Sequence, residues 1–329
     1  MRLLQHILRF AFVIGCAIQV LAQTDPCLDR TIPVNVYTDQ GEAFTPLTAA
    51  SFQASIGGKP VRVTSGTLDT GPRRILFLID VSGSMTVGGN LKCGLEFTHD
   101  LISLTPLRDS LALLTFNDRI KDVVAFGASQ EALLAEVKKL QDAEWGHGKT
   151  ATIDALATAL AMMKSPIVGD AICLVTDGGD NASQSNRSRV KALVESSGLR
   201  LFAFLPILPI TSRARTSEEA GGPSELRDLA FATGGDFRMF GPDREGSFSD
   251  PFPKSYAAIG GDKKEITLAA QRFHNEIFSF EKLTVRLPEP LAKPHEWKLE
   301  VVDASGRRAK HLQVFYPQRL SPCTSEDGH

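Results

Sequence analysis

The chain has no surplus of charge in either direction, no spaced histidine cluster and no long apolar run. Its 36 Lys and Arg face 38 Asp and Glu. That balance lacks the basic excess of a nucleic-acid binder, so DNA or RNA is excluded as the expected partner. The seven histidines are scattered, which leaves neither a zinc set nor the base of a hydrolytic triad. No stretch reaches the roughly 18 apolar residues of a spanning helix. No internal repeat or low-complexity tract is visible.

What the chain does contain begins with an export signal. Arg2 and Arg9 precede the apolar stretch Phe10 to Leu21, and small Ala22 closes Val20-Leu21-Ala22, the order of a cleavable leader. Residues 1–22 are expected to be removed after Ala22. A lipoprotein box at Val13-Ile14-Gly15-Cys16 is the rival reading, but Arg9 interrupts the stretch before it and apolar residues continue past Cys16. Loss of two basic residues and no acidic ones takes the formal net charge from −2 to −4. The mature chain is expected in the periplasm, the cell envelope or the medium, with no transmembrane segment. Cys27, Cys93, Cys173 and Cys323 remain, and four cysteines permit three complete pairings. Cys173 reads as a small buried hydrophobe within a strand. Cys27 and Cys323 flank opposite ends and are expected to clamp the terminal segments together.

Hydrophobic patterning divides the mature chain into three. Residues 23–72 alternate as short strands: Val34 and Val36, then Phe52, Ala54 and Ile56, then Val61 and Val63, with a turn at Gly57-Gly58. After Gly71-Pro72 the alternation gives way to continuous apolar runs, Ile75 to Ile79, Leu111 to Phe116, Ala171 to Val175 and Leu201 to Leu205, each fit for a strand buried on both faces. Helical spacing lies between them, in Leu133, Val137 and Leu140, in Ile153, Leu156, Leu160 and Met163, and in Val190, Leu193 and Val194. A further helix is expected from Ser224 to Ala232, and another through Ile266, Ala270, Phe273 and Ile277. The stretches Pro206 to Pro223 and Gly241 to Gly261 read as surface loops. Strand alternating with helix over 73–279 predicts an α/β, doubly wound, mainly parallel sheet of Rossmann-like type. Residues 280–329 return to alternation at Leu283, Val285, Leu287, Leu299 and Val301, which predicts a second β-rich segment.

The chemistry gathers at the ends of these runs. Asp80-Val81-Ser82-Gly83-Ser84 follows the first buried strand, Thr150 opens the helix near Ala151, and Asp177 ends the strand Ala171 to Thr176. In a parallel sheet those ends share one edge, where ligands collect. Two carboxylates and three hydroxyls make an oxygen-only set suited to Mg²⁺, with Mn²⁺ or Ca²⁺ as alternatives. Thr152 is a competing hydroxyl.

These three pieces, in this order, resemble the metal-ion-dependent adhesion site of the von Willebrand factor A family. Asp80, Ser82 and Ser84 stand as its Asp-x-Ser-x-Ser motif, Thr150 as its loop threonine and Asp177 as its last aspartate. Ala230, Thr233-Gly234-Gly235 and Phe237 look like its late helix-turn-strand, so the likeness runs from about Arg73 to Ile277. The flanks, with Val34-x-Val36, Gly58-Lys59-Pro60 and Val314-Phe315-Tyr316-Pro317, resemble exported A-domain proteins of Acidobacteria. The resemblance implies that Asp80 and Asp177 do not both bind the ion directly in every state, which leaves it positive toward a visiting Asp or Glu of a protein or peptide partner.

Other chemistries fit less well. Gly148-Lys149-Thr150 imitates the end of a nucleotide-binding loop, but Ala143 occupies its first glycine position and no strand precedes it. A phosphoryl-accepting aspartate at Asp80 would want a second aspartate where Ser82 stands, and no Gly-x-Ser-x-Gly elbow surrounds Ser82 or Ser84. Lys149 and His147 read as rim residues. Asp180, Asn181 and Asn186 read as turn and cap formers. A non-enzymatic binding protein is expected, with adhesion or recognition as its role. The runner-up is an envelope assembly module whose metal only stabilises loops.

Overall fold

The computed structural model describes residues 27–39, 41–143, 145, 148–206, 217–240 and 263–323. The expected leader at residues 1–22, Gly146, His147 and the segment 241–261, expected as a surface loop, lie outside them.

Strands β1 (Asp29–Thr38), β2 (Phe52–Ile56) and β3 (Lys59–Asp69) open the chain. β2 and β3 form a hairpin whose Gly57 and Gly58 both have positive φ, at 55° and 78°, as a two-residue primed turn requires. The chain closes with β10 (Phe280–Arg286), β11 (His295–Val301), β12 (Leu312–Phe315) and β13 (Arg319–Leu320). The two β-rich segments interleave into one seven-stranded sheet, ordered β12-β1-β10-β3-β2-β11-β13. Each segment offers strands with a single apolar face and too few of them to cover it. Threading β10 between β1 and β3 gives them a common core, built on Val34, Val36, Phe52, Leu283, Val285 and Trp297. The Cys27–Cys323 disulfide ties the start of this sheet to its end, as expected, and Cys93 and Cys173 are buried free thiols.

Between the two segments lies the predicted α/β unit. Its sheet runs β6-β5-β4-β7-β8-β9, with β4 (Arg74–Asp80), β5 (Ser110–Phe116), β7 (Ala171–Val175), β8 (Arg200–Pro206) and β9 (Phe237–Phe240) parallel and β6 (Ile120–Val124) antiparallel to β5. Strand residues alternate between two cores: Ile75, Phe77 and Ile79 face one side, Leu76 and Leu78 the other. Helices α2 (Asn90–Leu104), α3 (Gln130–Asp142) and α7 (Lys263–Phe278) supply the first core, and α4 (Thr152–Met162), α5 (Arg187–Ser196) and α6 (Ser217–Ala232) the second. The four-residue helix α1 (Gly83–Thr86) precedes α2.

Two helical expectations need correction, and one helix was not foreseen. Helix α2 was not anticipated, although Leu91, Leu95, Leu101 and Ile102 line its buried side and Lys92, His99 and Ser103 lie opposite. Leu193 is 49% exposed, so only Val190 and Val194 of α5 reach the core. Helix α6 begins at Ser217 rather than Ser224 and carries Pro223 in its interior, so part of the expected loop is helical.

A buried polar junction joins the two sheets. Arg200, wholly buried at the start of β8, donates to Asn35 Oδ1 of β1 at 3.0 Å and to the carbonyls of Glu276 and Ile277 at 2.8 and 2.9 Å. Arg73 donates to the Phe278 carbonyl at 3.1 Å, and both guanidinium groups lie over the Phe280 ring. These contacts satisfy orphan carbonyls at the end of α7 and fix where the chain passes into β10.

Candidate metal centre

The order β5-β4-β7 places a topological switch at β4, since the chain leaves β4 toward β5 on one side and returns to β7 on the other. The crevice beyond the strand ends at such a point is where α/β sheets bind ligands. Asp80 ends β4, and Asp177 lies two residues past β7.

The first loop is held tightly. Val81 N donates to the Phe116 carbonyl at 2.8 Å, Ser82 N to Asp80 Oδ1 at 2.8 Å, and Gly83 N to the Gly148 carbonyl at 3.1 Å. Asp80 and Ser82 are fully buried and Ser84 is half-buried. The Ser82 and Ser84 hydroxyls stand 3.2 Å apart, so both oxygens face one small volume.

The second and third loops are bolted to each other. Thr150 N donates to Asn181 Oδ1 at 2.9 Å, while Asn181 N and Ala182 N both donate to the Thr150 carbonyl, each at 2.9 Å. Thr176 connects them to the first loop: its hydroxyl donates to Asp80 Oδ2 at 2.7 Å and accepts from Gly178 N at 3.1 Å. A Cβ built on Gly179 would lie 3.5 Å from Asp177 Oδ1 and 3.7 Å from Thr150 Oγ1. The bare Cα therefore leaves a cradle that these two oxygens overlook.

Electrostatics set the character of the cradle. Burial, and then the Asp177 carboxylate, push Asp80 from an ordinary 3.8 up to about 7, against the opposing hydrogen bonds from Thr176 and Ser82. Two carboxylates and three hydroxyls in a water-poor cleft fit a hard divalent cation, whose charge would relieve the repulsion between the acids. Among the described residues no group of three His, Cys, Asp or Glu side chains could hold a metal, so any ion here must draw on hydroxyls.

Asp80, Ser82, Ser84, Thr150 and Asp177 are thus gathered at one sheet edge. Thr152 is turned away and donates to the Gly179 carbonyl at 2.8 Å. Asn186 caps α5 by accepting from Arg189 N, as the sequence suggested. Asp180 accepts from Ser183 and pairs with Arg187. The roles of Thr176 and Asn181 as inter-loop ties were not visible beforehand, because a hydroxyl or amide that bonds across some 30 to 100 residues carries no local signature.

Residues 75–179 match the family model described as von Willebrand factor type A domain, a span that holds all five site positions. This part of the chain is a von Willebrand factor type A (VWA) domain. VWA domains often mediate protein interactions through a metal-bearing adhesion site. The fold is similar to the von Willebrand factor type A protein of Catenulispora acidiphila, at 12% identity and a TM-score of 0.45, over 90% of this chain and 73% of that one. It is also similar to proximal thread matrix protein 1 of the mussel byssus, solved with a zinc-occupied adhesion motif. The identity there is 17% and the TM-score 0.46, over 67% of this chain and 50% of that protein. A third similar structure is an aerotolerance-related membrane protein of Bacteroides fragilis, at 15% identity and a TM-score of 0.40, over 62% of this chain and 98% of that one. No curated protein matches the chain.

Proposed function

We propose that the protein is an exported, non-enzymatic binding protein whose VWA domain uses one divalent cation, Mg²⁺ by preference, to engage an Asp or Glu carboxylate of a protein partner. Asp80, Ser82, Ser84, Thr150 and Asp177 would hold the ion. The observation that carries this reading is the placement of all five on loops tied to one another by hydrogen bonds at the β4–β7 crevice, with Asp80 raised by burial and then by its acidic neighbour. A bound cation supplies a positive, partly unsatisfied coordination sphere to which a carboxylate is attracted. The chain's own part is to hold the hydroxyls in place and exclude water. It does so through the Ser82 and Thr176 bonds to Asp80 and the Asn181 bond to Thr150. The Cys27–Cys323 disulfide supports an oxidising compartment. Among the described residues no helix is long and apolar enough to cross a membrane.

Capture from an envelope extract of the native host tests this reading. Partners retained in Mg²⁺ should be released by EDTA, lost with Asp80→Asn bait, and lost when the extract's carboxyl groups are first amidated. Capture that survives all three with a folded bait would overturn the proposal in favour of assembly through the seven-stranded sheet.

A further inference from the structure

Two backbone segments from distant parts of the chain meet behind Asp177 with no side chain between them. A Cβ on Gly222 of α6 would lie 1.7 Å from the Gly178 carbonyl oxygen, and one on Gly178 would lie 2.9 Å from Pro223 Cδ. Gly178 itself has φ +94°, a conformation that L side chains resist. On its other side Gly178 is tied through its N–H to Thr176, and so to Asp80. Arg187 closes the same corner by pairing with Asp180 on the Asp177 loop and with Glu225 one turn along α6. Gly178, the residue after Asp177, is therefore clamped between the Thr176 hydroxyl on one side and the Gly222-Pro223 backbone on the other.

We infer that Gly222 and Pro223 are positioning residues for the metal centre: they form a buttress that fixes the backbone of Asp177. This deepens the proposed function and rests on its metal reading. Pro223 is otherwise unfavourable inside a helix, since it removes a hydrogen bond and clashes with the preceding turn. Its ring against Gly178 gives that position a purpose. Supporting contacts of this kind are what hold a site within a fraction of an ångström of its working geometry.

Gly222→Ala should weaken Mn²⁺ uptake about tenfold to a hundredfold, the range found when a ligand's outer support is removed. It should also speed amide hydrogen exchange at Gly178 and Gly179 in the ion-free protein. Gly221→Ala is the control, because a Cβ there meets nothing within 4 Å, and its uptake and exchange should match the native protein. Pro223→Ala removes the ring carbons that face Gly178, leaving only an N–H in their place, and is expected to loosen the loop in the same direction. Native-like uptake and exchange in Gly222→Ala, or in Pro223→Ala should Gly222→Ala fail to fold, would overturn the assignment. Absence of Mn²⁺ uptake by the native protein would instead sink the metal reading, while the exchange comparison still decides whether the buttress exists.

Discussion

Replacing Asp80 with Asn will abolish Mg²⁺ uptake and at the same time stabilise the ion-free protein at pH 8, by about 2 kcal/mol. The second effect follows from linkage. Asp80 is raised from 3.8 to about 7, first by burial and then by Asp177, so the folded chain favours its neutral acid. A raised carboxyl contributes stability that is fully present below 3.8 and is lost as pH climbs through about 7. At pH 8 the ion-free fold must hold a charged, dehydrated carboxylate beside a second one. The shift of some three pH units corresponds to about 4 kcal/mol at most. An amide escapes that cost and still accepts from Ser82 N, but its NH₂ faces the Thr176 hydroxyl that now donates to Asp80, which offsets part of the gain.

Urea unfolding in EDTA checks the claim. Between pH 8 and pH 5 the native protein should gain about 3 kcal/mol that Asp80→Asn does not. Adding Mg²⁺ at pH 8 should then raise the midpoint of the native protein alone, since an ion that binds only the folded state stabilises it by mass action. Equal pH dependence in the two proteins would contradict the electrostatic account of the site.

Opening the Cys27–Cys323 bridge is expected to cost about 5 kcal/mol, the upper end of what a disulfide contributes. The magnitude follows from its span. The two cysteines are 296 residues apart, so the bond removes an unusually large loop from the unfolded ensemble. The clamp also acts where the interleaved sheet needs it, just before β1 and just after β13. The other thiols do not compete for it: burial pushes Cys93 up to about 12 and raises Cys173 as well, which keeps both out of the reactive thiolate form. The Cys27→Ser/Cys323→Ser double variant, compared with the oxidised native protein by urea unfolding, measures the effect. A difference below about 1 kcal/mol would mean that the chain ends stay together in the unfolded state.

How much of this was legible in the sequence depended on whether a feature is local. Strands such as Leu76 to Ile79 announce themselves because burial on both faces demands an unbroken apolar run. The motif at Asp80, Ser82 and Ser84 is legible for a related reason, since one loop must present three oxygens at a strand end. Helix α2 carries a local signal too, with Leu91, Leu95, Leu101 and Ile102 on its buried side and Lys92, His99 and Ser103 opposite. The interleaving of β10 between β1 and β3 was hidden. Alternation in Val34 or Leu283 identifies a strand and its inward face but not its neighbour. Thr176, Asn181, Gly222 and Pro223 belong to the same class: each acts on a partner brought near only by the completed fold.

The account stands on the meeting of five oxygens around one cation. Anomalous scattering from Mn²⁺-soaked crystals, collected at pH 8 with and without EDTA, tests that most directly. The account predicts a single strong peak enclosed by the Ser82, Ser84 and Thr150 hydroxyls and the Asp80 and Asp177 carboxyl groups, absent in EDTA and absent from Asp80→Asn crystals. A well-ordered β4–β7 crevice without such a peak, or a peak at another place on the molecule, would contradict it.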